Sequence, residues 1–571
     1  MKYFIPIIII FVFSISTAFS QSTEYYFKFK IHDRSELNYL TRIISIDNVA
    51  GDEVYAYANP SEFAEFLRYG YTYTSLPHPG SLISPKMSAD PNQIILDWDY
   101  YPTYDAYVAM MNQFAASYPS LCRIVNAGST NQSRAILFAI VSHNVSVHEA
   151  EAQFMYSSSM HGDEVTGYVL MLRLINYLLT NYGTDPKVTN LLDHEEIWIN
   201  PLANPDGTYH GGNGTVTGAI RGNANGIDLN RNFPDPQYGP HPDGHPWQAE
   251  TIIMMNLETA NHFTMSCNFH GGAEVFNYPW DTWPRLTADD NWWQYVARQY
   301  ADTVHANAVA GYMTDLNNGI TNGYAWYQVA GGRQDYMTYF KHGRECTIEL
   351  SHTKILPAAQ LPAHWNYNWK SFMNYMQKAL YGVTGLITDS VTTAPIGKAE
   401  VFINGHDIDS SEVYADSIYG KYYRVIKGGT YSITYSAPNY YPKTVTGVYV
   451  KDDSTTVVNV MLRHYGGLPV VRNENNVPEK YEVYQNYPNP FNPVTKIKFD
   501  LPLFTKGGQG GFVSLKVYDI LGREAATLVN EQLKPGSYEV EWDGSNYPSG
   551  VYFYKLTTGS FNDTKKMVLV K

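Results

Sequence analysis

Hydrophobic and polar positions alternate from Tyr25 to Lys30, the period of a half-buried strand. Short segments of this kind continue until Leu76-Pro77-His78-Pro79-Gly80 and a Ser/Pro-rich stretch interrupt them. Residues 21–90 therefore read as a small propeptide-like domain and linker. From 91 to 381 the pattern changes. Strand-like runs at Ile136–Val141, Phe154–Ser158, Glu196–Asn200 and Thr347–Leu350 alternate with helical ones. The clearest helix is Val165–Thr180, with Val169, Leu172, Ile175, Leu178 and Leu179 at helical spacing. Such alternation predicts an α/β domain with a largely parallel sheet. Residues 383–462 hold only short strands divided by turns, which predicts a small β-sandwich. Residues 463–480 are rich in Gly, Asn, Pro and Glu and read as a linker. A second all-β module follows at 484–571, with strands at Val513–Tyr518, Ser537–Trp542 and Val551–Leu556.

Composition supports this division. The 571 residues suffice for three or four domains, and 44% hydrophobic content can fill their cores. The net charge of −14 argues against a nucleic-acid partner and leaves room for cationic peptides. Residues 1–20 read as a signal peptide: Lys2, an apolar run from Phe4 to Phe13, then Ala18-Phe19-Ser20. That run is short for a membrane span and no later segment is longer, so the mature chain is expected to lack a transmembrane segment. Cys122, Cys267 and Cys346 are too few for a disulfide framework. Cys267 and Cys346 read as buried apolar fillers, with one bridge left open.

The chemistry centres on Met160-His161-Gly162-Asp163-Glu164, between a strand and a helix. A His and a Glu three apart in a tight loop can face one ion, and zinc accepts both donor types. The spacing alone is weak, because His148/Glu151 and His342/Glu345 share it. The first of these lies in a polar loop and the second in a turn; both read as surface pairs. Only His161/Glu164 sits where a strand ends in an α/β sheet, the usual place for a ligand. A third donor is expected from another strand end, and His270, followed by Gly271-Gly272, fits.

Together, His161-Gly-Asp-Glu164, Asn204-Pro205-Asp206-Gly207, Gly226-Ile-Asp228-Leu-Asn230-Arg231-Asn-Phe233, His270-Gly-Gly and Thr347-Ile-Glu349-Leu-Ser351 resemble the zinc metallocarboxypeptidases. The chain is most similar to their N/E/D-like branch, in which a transthyretin-like β-sandwich follows the catalytic domain. The resemblance implies a mixed sheet with helices on both faces at 91–381. It implies one Zn2+ held by His161, Glu164 and His270, and Glu349 as general base. It assigns Arg221 to the scissile carbonyl and its oxyanion, and Asn230 with Arg231 to the substrate's terminal carboxylate. It gives Tyr327 the role of closing over that terminus, and Asp228 that of orienting a zinc-bound histidine, expected to be His161. Asp281 is implied in binding a C-terminal Lys or Arg. One departure is Tyr336, in Gln334-Asp335-Tyr336, where the branch has Trp; it alters an aromatic neighbour of the pocket.

The last module opens with Tyr484-Gln485-Asn486-Tyr487-Pro488-Asn489-Pro490-Phe491-Asn492-Pro493 and resembles the C-terminal sorting domain of type IX secretion. The resemblance implies export through the periplasm by that machinery, to the medium or the cell surface. The expected activity is removal of C-terminal residues from peptides and proteins. Two alternatives remain at this point: a peptidase or amidase acting on peptidoglycan stem peptides, and a surface-binding protein with an inactive enzyme domain.

Overall fold

The structure is a computed structural model that describes residues 24–390, 392–464, 478–503, 511–545 and 547–571. The expected signal peptide and most of the 463–480 linker lie outside these residues.

The N-terminal alternation forms β1 (Tyr25–Lys30), β2 (Ser45–Ala50), β3 (Glu53–Ala58) and β4 (Tyr73–Ser75). They make an antiparallel sheet in the order β2-β3-β1-β4, so β2 is an edge. Phe27 and Phe29 face Leu37, Leu40 and Phe66 in a core of their own. The register slips between Ile46 and Asn48, which leaves Asp47 as the extra residue of a β-bulge. The stretch after Leu76 is less free than a linker. Gly218 N–H donates to the Gly80 carbonyl at 2.7 Å, and a Cβ at Gly80 would lie 1.9 Å from the Ala219 carbonyl.

The main sheet of the central domain has eight strands: β5 (Cys122–Ser129), β6 (Ala135–Val141), β7 (Ala152–Ser158), β8 (Glu195–Asn200), β9 (Phe263–His270), β10 (Glu274–Tyr278), β11 (Ile320–Asn322) and β12 (Arg344–Leu350). Their order is β11-β10-β12-β9-β7-β8-β6-β5. The centre is parallel, from β12 through β9 and β7 to β8, while β6 and β10 pair antiparallel with it. The sheet is therefore mixed. Helices α1 (Tyr104–Ser117), α2 (Thr166–Asn181), α4 (Asp290–His305) and α6 (Leu361–Gln377) share one core with Phe154 and Tyr156. Helices α3 (Ala249–Ala260) and α5 (Arg333–Phe340) pack with Met155 on the opposite face. Successive β7 residues alternate between the two cores, as a pleated strand dictates. Helix α2 begins at Thr166, one residue later than its pattern predicts.

All three cysteines are free and buried; Cys267 and Cys346 face each other across β9 and β12. Glu345 is not the surface residue its turn-like context predicts. It is fully buried on β12, where Arg333 Nε donates to it at 2.8 Å and Ser266 Oγ at 2.6 Å.

Residues from Gly382 to His464 form two packed sheets around Val383, Val401, Ile433 and Leu462. Glu482–Leu569 forms a second sandwich, with strict alternation along Gly536–Asp543. The first sandwich is tied to the central domain by buried ions. Arg424 pairs with Asp407 and, at 3.0 Å, with Asp289, which also takes Arg344 at 2.8 Å. Arg424 holds the Asp407 carboxyl well below its usual range against the opposing effect of burial. Replacing Arg424 by Met leaves two carboxylates short of a buried partner. The expected loss is about 3–5 kcal/mol of stability, read as a lower urea midpoint at pH 7; an unchanged midpoint would contradict this account of the junction.

Candidate active site

Strand register builds the site. In the parallel pair β9–β12, His270 and Glu349 are direct partners, so both side chains leave the same end of the sheet on one face. The adjacent strand β7 ends at Ser158 and runs into the loop carrying His161 and Glu164. This loop is held from below. Asn204 Nδ2 donates to the carbonyls of Met160 and Gly222, each at 3.1 Å, and Thr208 Oγ1 to that of Gly162 at 2.8 Å. A Cβ at Gly162 would come within 2.4 Å of the Gly207 backbone, so only glycine lets the two turns approach so closely. The Asn204-Pro-Asp-Gly207 turn thus shapes the metal loop without entering the cleft.

His161 Nδ1, His270 Nδ1 and Glu164 Oε2 lie 2.9–3.0 Å from one another. His161 Nε2 faces Asp228 Oδ1 at 2.9 Å, and Asn268 Nδ2 lies 2.7 Å from His270 Nε2. The Asp228 carboxylate holds a proton on His161 Nε2 and leaves its Nδ1 lone pair directed at the Glu164 oxygen; Asn268, whose own Oδ1 has no partner, does the same for His270 once its carboxamide turns that oxygen towards Nε2. Three acceptors this close repel one another unless a cation lies among them. The donor set, two imidazoles and one carboxylate, is one that zinc accepts. Burial pushes the His270 ring down to about 4, with His161 adding to the effect, so His270 stays neutral as a ligand requires. The three side chains form a group that could hold a metal ion.

Glu164 Oε1 has other partners: Lys354 Nζ at 2.7 Å and Arg221 Nη1 at 3.0 Å. Burial opposes ionisation of Glu164, yet His161 and Lys354 hold its carboxyl well below the usual range. Glu349 is half-buried and its Oε2 has no hydrogen-bond partner. Burial, and then the Glu164 charge, push its carboxyl well above the usual range.

Nine of the ten residues singled out from the sequence line one cleft: His161, Glu164, Arg221, Asn230, Arg231, His270, Asp281, Tyr327 and Glu349. The tenth, Asp228, stands behind His161. Its Oδ2 also accepts from Arg221 Nε at 3.0 Å and its Oδ1 from the Asn230 backbone at 2.8 Å. Asp281 is buried and accepts from Asn277 Nδ2 at 3.1 Å. Burial pushes its carboxyl up to about 6. Tyr336 packs on Phe233 and Phe340 rather than entering the cleft. The other two His-x-x-Glu pairs lie elsewhere. His148 approaches Glu196 and Asp416, while Glu151 pairs with His143 at 3.2 Å. His143, Glu149 and Glu151 form a second, half-exposed group of metal-binding type.

The N-terminal domain covers the cleft, which sequence patterns do not reveal. Arg231 Nη2 donates to the Ile46 carbonyl at 2.9 Å. Tyr327 Oη donates towards the Ile46 and Asp47 carbonyls, each at 3.4 Å. The Arg221 and Gly222 N–H groups donate to the Glu24 carboxylate at 2.9 and 2.8 Å. Tyr57 Oη donates to Asp163 at 2.9 Å, and Ser45 Oγ to Asp228. The space left in the cleft is about 30 Å³, room for one or two waters.

Residues 107–371 match the family model for zinc carboxypeptidases. Carboxypeptidase M of Mus musculus is 32% identical over 367 residues, covering 60% of this chain and 80% of that protein. The Carboxypeptidase N catalytic chain of Mus musculus is 32% identical, covering 63% of this chain and 85% of its own length. The chain belongs to the zinc carboxypeptidase family. Carboxypeptidase D of Rattus norvegicus is 36% identical over 62% of this chain, which spans 26% of that longer relative. Residues 485–571 match the secretion system C-terminal sorting domain, which marks an exported protein of the medium or cell surface. Among the described residues, no helix is long and apolar enough to cross a membrane.

A zinc titration of the chelator-stripped protein is expected to saturate at one tightly bound ion. His270→Ala removes one of three donors and is expected to weaken binding by at least about tenfold, the least effect of losing even an outer partner. Equal affinity in the variant would contradict the assignment of the donor set.

Proposed function

We propose that this member of the zinc carboxypeptidase family is an exported exopeptidase that hydrolyses the C-terminal bond of peptides and proteins. The observation that carries the reading is the convergence of the His161/Glu164/His270 group, an unpartnered carboxylate at Glu349 and two arginines in one cleft. Zinc bound among the three donors supplies Lewis acidity towards the scissile carbonyl and its attacking water. Glu349 takes the proton of that water and passes it to the leaving amine. Glu349 has no hydrogen-bond partner of its own, which leaves its carboxylate free to serve both steps. Arg221, fixed by Asp228 and Glu164, faces the oxygen on which charge develops. Asp228 fixes the tautomer of His161 through Nε2.

Arg231 and Asn230 receive the terminal carboxylate. A guanidinium fork suits that group, and here Arg231 holds a backbone carbonyl in its stead. Tyr327 closes over the bound terminus from the same wall. Asp281, on the cleft lining, favours a C-terminal Lys or Arg, whose cation restores its ionised form. Export runs through the periplasm by way of the type IX machinery that reads residues 485–571.

Residues 24–82 act as a cap. With room for little more than water beneath them, a peptide enters only after the cap moves. Nicking the exposed segment around Leu82 by limited proteolysis is expected to raise the turnover of a C-terminal Lys peptide.

Glu349→Gln tests the chemistry. Turnover is expected to fall by roughly 10²–10⁴-fold, the usual worth of a general base, with stoichiometric zinc retained. Retained activity in a zinc-loaded variant sinks the mechanism. Asp281→Asn is expected to lower kcat/KM for peptides ending in Lys or Arg at least about tenfold, leaving those ending in Leu unchanged. An equal loss on both would remove Asp281 from specificity.

A further inference from the structure

Lys354 touches every segment that carries a residue of the metal group. It lies in the loop after β12, five residues beyond Glu349. Its backbone carbonyl accepts from the N–H of Val165, the residue after Glu164, at 3.1 Å. Its Nζ donates to Glu164 Oε1 at 2.7 Å and lies 3.4 Å from the carbonyl of Gly271, the residue after His270. The loop of His161 and Glu164, the end of β9 and the end of β12 thus meet at one side chain, which is 5% exposed.

We propose that Lys354 is a positioning residue of the metal centre: its ammonium holds Oε1 of Glu164, so that Oε2 is the oxygen offered to the ion between His161 and His270. This role rests on the zinc reading of the three donors and holds whatever the substrate.

The last torsion of a glutamate is broad, so a free carboxylate can exchange its two oxygens or present both. The neighbours of Glu164 remove that freedom. Oε2 meets His161 Nδ1, His270 Nδ1 and the Gly271 N–H at 3.0, 2.9 and 3.1 Å. Oε1 meets only cations, Lys354 at 2.7 Å and Arg221 at 3.0 Å. The two cations are not equivalent. Arg221 lines the cleft and is shared with Asp228 at 3.0 Å. Lys354 makes the shorter contact and is not among the cleft-lining residues, so it acts through Glu164 rather than on a substrate. Its other anions are Asp47 of the cap, 2.7 Å away, and the buried Asp163, whose charge also acts on it. Glu164 and Asp163 both belong to the metal loop, so Lys354 keeps its hold on that loop when the cap moves. Carboxylates that ligate metals are themselves hydrogen-bonded, and the loss of such a partner weakens the ligand set.

Zinc affinity of the full-length, chelator-stripped chain, measured by competition with a chelator, tests this role without turnover. Lys354→Met is expected to weaken zinc binding about 10–100-fold, and Lys354→Arg, which keeps the cation, to restore most of the loss. Asp47→Ala is expected to leave zinc affinity unchanged, because Glu164 keeps its lysine. In a Glu164→Ala background, Lys354→Met should cost nothing further, since the group it positions is gone. If Lys354→Met does not fold, Lys354→Gln, which keeps a hydrogen-bond donor without the charge, carries the same comparisons. Wild-type zinc affinity in the lysine variant overturns the role. An equal loss with and without Glu164 also overturns it. So does a loss in Asp47→Ala as large as that in Lys354→Met, which would place the effect in cap docking. A wild-type chain that binds no zinc would refute the donor set itself, and the role with it.

Discussion

The two oxygens of Glu164 face different partners, and the site is arranged around that division. Oε2 meets the ring nitrogens of His161 and His270; Oε1 meets Lys354 and Arg221. One buried carboxylate therefore couples a metal-binding group to a cationic wall. The coupling explains why so many charges tolerate burial together. Glu164, Lys354, Arg221, Asp47 and Asp228 are all desolvated, and each has at least one opposite partner within hydrogen-bonding distance. The fold's part is to deliver Glu164 on a loop between β7 and α2, with Glu349 and His270 side by side on neighbouring parallel strands.

The cap uses the same electrostatics from outside. Asp47, Glu24 and Ser45 engage Arg221, and the Ile46 carbonyl engages Arg231. Phe27, Phe29, Leu37, Leu40 and Phe66 stay in the cap's own core, against which Tyr327 packs, while Tyr57 lies under Arg221 and Lys354.

Much of the site was legible because its chemistry-bearing residues cluster in short motifs. His270 and Glu349 stand at or near strand ends and His161 and Glu164 in the loop after one, and short apolar runs located those strands. Arg221, Asp228, Asn230 and Arg231 came from the family resemblance, the last three through the Gly226–Phe233 motif. Lys354 was missed, although it follows Glu349 by five residues and is a lone cation in a stretch poor in charge. Asp47 and Glu24 were not legible. They meet the cleft through tertiary docking and a one-residue bulge, which strand alternation does not encode. Glu345 was misread because its turn-like neighbours hide that it enters a central strand, where Arg333 from α5 compensates its burial. The mixed pairing of the sheet is likewise a matter of chain order in space. The antiparallel partner β6 reads as an ordinary strand in isolation, and β10 was not singled out.

The central claim is that the cleft removes single residues from free C-termini with the help of a metal ion. Mass spectrometry of a peptide series incubated with the zinc-loaded chain after its cap segment is cut tests it most directly. Each peptide is supplied as its free acid and as its C-terminal amide. The account predicts stepwise loss of one terminal residue from the acids, abolished by a chelator, and no cleavage of the amides. Equal cleavage of the amides, or cleavage at internal bonds, would contradict it.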